Sequence, residues 1–312
     1  MENKCYKKTS IGGQAVIEGI MMRGPRKTTV VVRKKDGSTV KESYPTNKDG
    51  KPKWYNKVPF VRGIFNLVSS LAIGYKVLNF SASFIEDEEE EPEGKFEQWL
   101  MDKWGEKAND YIMTISLVLG LGLSILLFFM LPTILTGLVQ QWLPNDFFRA
   151  LAEGVIRVAI FLAYLWGVSF MDDIHRMYEY HGAEHKTIAC YEAGEELTVE
   201  NVRKYTRFHP RCGTSFMFLI MVISILIFSF LSWDSVAIRM VSRLLLLPVV
   251  VGISYELIKL AGRYDNLFTK IISAPGLAIQ RMTVFEPDDS MIEVAIEAMT
   301  DVIPENEGED NW

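Results

Sequence analysis

Residues 111–145 read YIMTISLVLGLGLSILLFFMLPTILTGLVQQWLPN, 35 consecutive positions without one Asp, Glu, Lys, Arg or His. A helix that crosses a hydrocarbon core about 30 Å thick needs roughly 20 apolar residues. This stretch exceeds that length, and a wholly soluble protein is excluded. The whole composition agrees, with 49% hydrophobic against 23% charged residues and a mean hydropathy of +0.11. Eighteen Phe, 12 Tyr and 7 Trp exclude a disordered chain. The three cysteines, Cys5, Cys190 and Cys212, lie far apart without paired spacing, which excludes a secreted disulfide scaffold. The net charge of −6 comes largely from two acidic segments and carries no nucleic-acid signature.

Outward from that stretch, the pattern predicts four spans. The first lies within Tyr111–Val139 and the second covers about Phe148–Met171, with Arg149, Glu153 and Arg157 near its start. The third is Cys212–Trp233, 22 residues without charge. The fourth is about Ile238–Leu260, with twelve uncharged residues between Arg243 and Glu256. Glu153 and Arg157 are helical i, i+4 partners. Arg239 and Arg243 are expected to meet lipid phosphates, and Glu256 to reach water from a helix end.

The N-terminal region reads differently. Thr28–Val32 is β-branched, Asp36-Gly37 is a hairpin signal, and Thr39–Tyr44 alternates. Residues 1–57 are therefore expected to form a small β-rich domain, and 58–85 an amphipathic helix lying along the membrane surface. Residues 86–110 follow as an acidic linker and helix, 111–261 as the four-helix membrane domain with its loop at 172–211, and 262–312 as C-terminal helices with an acidic tail. The fold class expected is a mostly α membrane protein. Basic residues orient it: residues 1–110 hold 19 of the 33 Lys and Arg, the loop holds six, and the short connections near 140–147 and 233–237 hold none. Both termini and the loop should face the cytoplasm of a plasma-membrane protein.

All four histidines, His175, His181, His185 and His209, fall in that one loop. His181-Gly182-Ala183-Glu184-His185 reads H-x-x-E-H, which on a helix turns both imidazoles and the carboxylate to one side. Two such histidines can grip Zn²⁺ while Glu184 takes a proton from water held at the metal. Val168–Glu179 is expected to continue the second span into this motif. His209-Pro210-Arg211-Cys212 offers further ligands just before the third span. With His181, His185, His209 and Cys212 all bound the site is closed and structural; without Cys212 it is open and catalytic. Glu192, Glu195 and Glu196 are reserve oxygen ligands, and Asp172 or Asp173 could orient a histidine. His175 is out of phase with His181 and reads as an interface residue. The tripeptide Gly12-Gly13-Gln14 carries no chemistry by itself.

Several longer strings coincide. They are Gly12-Gly13-Gln14-Ala15-Val16-Ile17-Glu18-Gly19-Ile20-Met21-Met22-Arg23, Tyr180-His181-Gly182-Ala183-Glu184-His185-Lys186, and His209-Pro210-Arg211-Cys212-Gly213-Thr214-Ser215-Phe216. Near the end stand Pro275-Gly276-Leu277, Gln280-Arg281-Met282-Thr283 and Glu286-Pro287-Asp288-Asp289. In this order, from about residue 10 to 303, the chain resembles the YqhQ-type family of bacterial multi-pass membrane proteins. The resemblance implies a membrane location and a metal-dependent enzyme, and brings no substrate or reaction.

Three functions stand open on these grounds: a membrane-anchored zinc hydrolase with Glu184 as general base, a non-catalytic scaffold clamped by structural zinc, and a small-solute transporter. The partners expected are the lipid bilayer and a substrate of unassigned identity, with no nucleic acid; homo-oligomerisation stays open. If the motif lies at the surface, Glu184→Gln should change stability by no more than about 1 kcal/mol.

Overall fold

The computed structural model describes residues 7–46, 54–86, 99, 103–104, 108–231 and 236–312. Cys5, the acidic run after Glu86 and most of the connection at 233–237 lie outside the described residues. Four strands come first: β1 (Gly12–Val16), β2 (Gly19–Arg23), β3 (Lys27–Arg33) and β4 (Thr39–Pro45). The helices are α1 (Val61–Glu86), α2 (Ala108–Ile125), α3 (Leu131–Val139), α4 (Asp146–Val168) and α5 (Asp172–Glu192). They continue with a short α6 (Val199–Arg203), then α7 (Gly213–Phe228), α8 (Val236–Arg263), α9 (Leu267–Thr283) and α10 (Asp289–Val302).

The strands form one antiparallel meander in the order β1-β2-β3-β4. Gly37 turns the last hairpin at φ +85°, a region that costs glycine nothing, and Asp36 Oδ1 accepts from the Ser38 N–H at 2.8 Å. Thr28–Val32 is buried throughout instead of alternating, because both faces of the sheet are covered. Ile20, Met22 and Val31 pack with Tyr180 and Ala183 of α5 and with Met291, Ala295 and Met299 of α10. On the other face Val16, Met21, Val30 and Val32 meet Ile73, Val77, Phe80 and Phe84 of α1. The β4 edge carries Lys41 and Glu42, charges that discourage further strand pairing.

Four helical stretches are long and apolar enough to cross a membrane: Val61–Phe84, Thr114–Trp142, Asp146–Val168 and Met240–Arg263. Three of them coincide with the expected first, second and fourth spans. Among the described residues the expected third span is helical over Gly213–Phe228, a shorter apolar helix of 16 residues that rises about 24 Å. α1 also meets the criterion of length and composition. Its two basic residues are both engaged, since Arg62 pairs with Glu256 of α8 and Lys76 lies over the Tyr44 ring at 3.7 Å. Glu256 is therefore held by a guanidinium and by the Phe60 N–H at 3.0 Å, where a solvated helix end was expected. The second span also ends earlier, at Val168. The chain turns at 169–171 before α5 begins, so the two are not one continuous helix.

The charge expected at the second span is buried and triply held. Glu153, with no exposed surface, accepts from Arg157 at 2.7 Å and from both Arg243 nitrogens at 2.6 and 3.0 Å. Arg243 thus turns inward between helices, which corrects its expected place among lipid phosphates. A π-turn at Leu126–Met130 interrupts the helix at the right level for the Phe128 carbonyl to accept from Arg157 Nε at 2.8 Å. Glu153→Gln would leave two guanidiniums around a neutral amide, and removing one partner of a buried ion pair costs about 3–5 kcal/mol. We expect that loss in detergent unfolding curves; a change below about 1 kcal/mol would mean that water reaches the cluster.

Candidate metal centre

The H-x-x-E-H motif lies on α5, and its whole neighbourhood, Gly182–Ile188, is buried. The helix is enclosed by β1, α10, the 203–212 segment and the 284–287 segment, whose Phe285 N–H donates to the Tyr178 carbonyl at 3.0 Å. Gly182 is needed here because a Cβ would run into the Phe285 carbonyl and the Pro287 ring. Helical propensity lost at this glycine, about 1 kcal/mol, is offset by that close approach.

Both motif histidines are oriented by main-chain carbonyls. His181 Nδ1 lies 3.0 Å from the Thr283 carbonyl, and His185 Nδ1 lies 2.5 Å from that of Arg207. A ring N–H given to a carbonyl fixes the tautomer and leaves Nε2 as a free electron-pair donor, the usual second shell of a metal-ligating histidine. Cys212 is the N-cap of α7, accepting from the Thr214 N–H at 3.4 Å, and its Sγ stands 3.2 Å from His181 Nε2. Ligand atoms of His181, His185 and Cys212 all lie within 4.8 Å of one another, so the three could hold a metal. Donors on a tetrahedral zinc, at about 2.0 Å for nitrogen and 2.3 Å for sulfur, stand roughly 3.6 Å apart. The His181–Cys212 separation of 3.2 Å and the 4.8 Å bound on the whole group bracket that value.

Charge reinforces this chemistry. Burial opposes ionisation of Cys212, yet the His181 and His185 rings hold the thiol well below its ordinary pKa. Burial likewise opposes a charged His181, but the Cys212 sulfur raises its pKa to about 9. Sulfur and imidazole therefore share a proton that a cation could displace. Glu184, only 5% exposed, has its pKa raised by burial. Its Oε1 accepts from the Gly13 N–H at 3.0 Å, while Oε2 is buried with no hydrogen-bond partner. Glu184 is thus a core carboxylate, not the surface residue considered above.

His209 stands apart from the group of three. Its ring is 5.5 Å from that of His185, between Arg211 at 3.2 Å and a Glu192 carboxylate oxygen at 3.8 Å. Burial lowers its pKa to about 4. Glu192 is committed to Arg211 and the Thr9 N–H, and Glu195 and Glu196 are exposed. Asp172 and Asp173 are also exposed, so carbonyls orient the ligand histidines where carboxylates were expected. His175 stacks on Phe285 at 4.2 Å, away from the group.

The residues that motif reading passed over are those that assemble the centre. Gly13 approaches Glu184 so closely that a Cβ would stand 2.9 Å from its carboxyl carbon. Gln280 clamps the His209 backbone, its Oε1 accepting from the N–H at 2.9 Å and its amide donating to the carbonyl at 2.7 Å. Buried Lys186 pairs with Glu286. Their sequence signal was their place in the strings that carry the family resemblance.

The family described as "Protein of unknown function (DUF1385)" matches residues 58–305, from the start of α1 past the end of α10. The chain belongs to it. Glu184 and the three clustered ligands fall inside the DUF1385 match, whereas Gly13 and the sheet precede it. The chain is also 33% identical over 302 residues to "Uncharacterized protein YqhQ" of Bacillus subtilis (strain 168), covering 94% of this chain and 92% of that protein. The expected family is thereby established. No solved structure matches the chain.

Proposed function

We propose that this protein is a zinc-dependent hydrolase of the plasma membrane, with its sheet and metal centre on the cytoplasmic side. The observation that carries the reading is the pair of carbonyl-anchored histidines, both presenting Nε2 near the Cys212 sulfur. Zinc bound there supplies a Lewis acid that polarises a carbonyl or phosphoryl oxygen and acidifies water. His181, His185 and Cys212 would hold it, and a set of three protein ligands is the number found in catalytic sites. A closed structural site would need His209, which is engaged with Arg211 and Glu192. Glu184 takes the proton of the attacking water on its unpartnered Oε2 and returns it to the leaving group. The Gly13 N–H holds the other oxygen in place.

A second reading is favoured by one contact. Cys212 at a helix N-terminus, 3.2 Å from His181 Nε2, has the arrangement of a thiolate nucleophile with its base. Turnover assays separate the two. The purified protein is offered lipid esters, phosphoesters and peptides, before and after chelation and again after zinc is restored. The zinc reading expects activity on one class that disappears with the chelator and returns with the metal. Activity indifferent to chelation overturns it in favour of the thiolate.

A further inference from the structure

Arg23 is a cation without a carboxylate. Arg26 and Arg33 of the same domain pair with Glu309 and Glu293, but no carboxylate among the described residues pairs with Arg23. The guanidinium donates to two neutral hydroxyls, Ser69 Oγ at 3.0 Å and Ser70 Oγ at 3.4 Å on α1. Burial pushes its pKa down, the signature of a charge whose hydration is not replaced. It lines a cavity of about 310 Å³ between β1, β2, α1 and α8. Asn66 and Ser70 add polar groups to the wall, and Met21, Ile73 and Tyr255 add apolar surface. A pocket of mixed lining that volume is at the small end of ligand sites, about 300–1,000 Å³.

Two further facts indicate what fills it. The walls α1 and α8 are both helices long and apolar enough to cross a membrane, and α1 exposes Val68 and Leu71 beside the cavity-lining Ser70. Gly13 lines the cavity and also donates to Glu184, so the pocket adjoins the metal centre around the free edge of β1. We propose that this cavity binds the phosphate-bearing head of an amphiphile, with Arg23 gripping the phosphate, Asn66 and Ser70 contacting the head, and the apolar tail leaving along α1. Guanidinium geometry suits phosphate oxygens, and a lipid-facing wall suits a tail. That the amphiphile is also the substrate rests on the hydrolase reading; its binding does not.

Binding is measured on the full chain in a maltoside detergent free of phosphate, carrying Glu184→Gln so that absent turnover is not read as absent binding. Dioctanoyl phosphatidic acid should bind, dioctanoylglycerol should bind far more weakly, and Arg23→Gln should weaken the phosphatidic acid roughly ten- to hundredfold, as for a lost charged hydrogen bond. Ile73→Trp, which fills the cavity and leaves Arg23 in place, should weaken it too, even if Arg23→Gln folds poorly. Equal affinity in the parent and these variants overturns the site. Inorganic phosphate binding as tightly as the lipid overturns the amphiphile. If Glu184→Gln proves as active as the parent, the hydrolase reading fails while the binding result stands.

Discussion

A chain carrying His181→Ala and His185→Ala is expected to purify without metal, while the parent and a His175→Ala control carry about one equivalent. The two imidazoles supply two of the three clustered donors. A single Cys thiolate with water retains little affinity, and even loss of an orienting second-shell group costs about 10–100-fold in metal binding. Loss of two direct ligands should exceed that by orders of magnitude. The variant should also become less stable, since His185 is buried and alanine leaves a cavity beside Arg207. Elemental analysis with a chelator competition decides it. Equal metal in parent and double variant would remove both the hydrolase and any structural-zinc reading.

Glu184→Gln should have the opposite signature, with metal retained and turnover lost by about 10²–10⁴-fold, the contribution of a general base. The amide oxygen can still accept from the Gly13 N–H, so the local geometry survives. Because Glu184 is buried and its second oxygen has no partner, a neutral amide removes an unfavourable charge. Melting should stay level or rise, where loss of a favourable ion pair would lower it. Unchanged turnover would exclude Glu184 as the base and leave it a structural contact to β1.

Much of this architecture was legible because it is written in local patterns. The 111–145 stretch, the β-branched run at Thr28–Val32 and the Asp36-Gly37 turn each need only their own neighbours to be read. The i, i+3, i+4 spacing likewise placed His181, Glu184 and His185 on one side of α5. What escaped depends on contacts between distant segments. Gly13 reaches Glu184 across 171 positions, and Thr283 meets His181 across 102. The partners of the α1 charges are just as distant: Arg62 pairs with Glu256 and Lys76 lies over the Tyr44 ring. His209 and Cys212 are only three apart, yet Cys212 caps α7 and turns in while His209 is held back by Gln280 and Arg211.

The most direct test of the metal centre is X-ray absorption at the zinc edge of the purified, zinc-loaded protein. A first shell with one sulfur at about 2.3 Å and two imidazole nitrogens at about 2.0–2.1 Å, completed by a light oxygen scatterer, is the expected result. Cys212→Ser should erase the sulfur shell alone. A first shell without sulfur, or one unchanged by Cys212→Ser, would contradict a centre built from His181, His185 and Cys212.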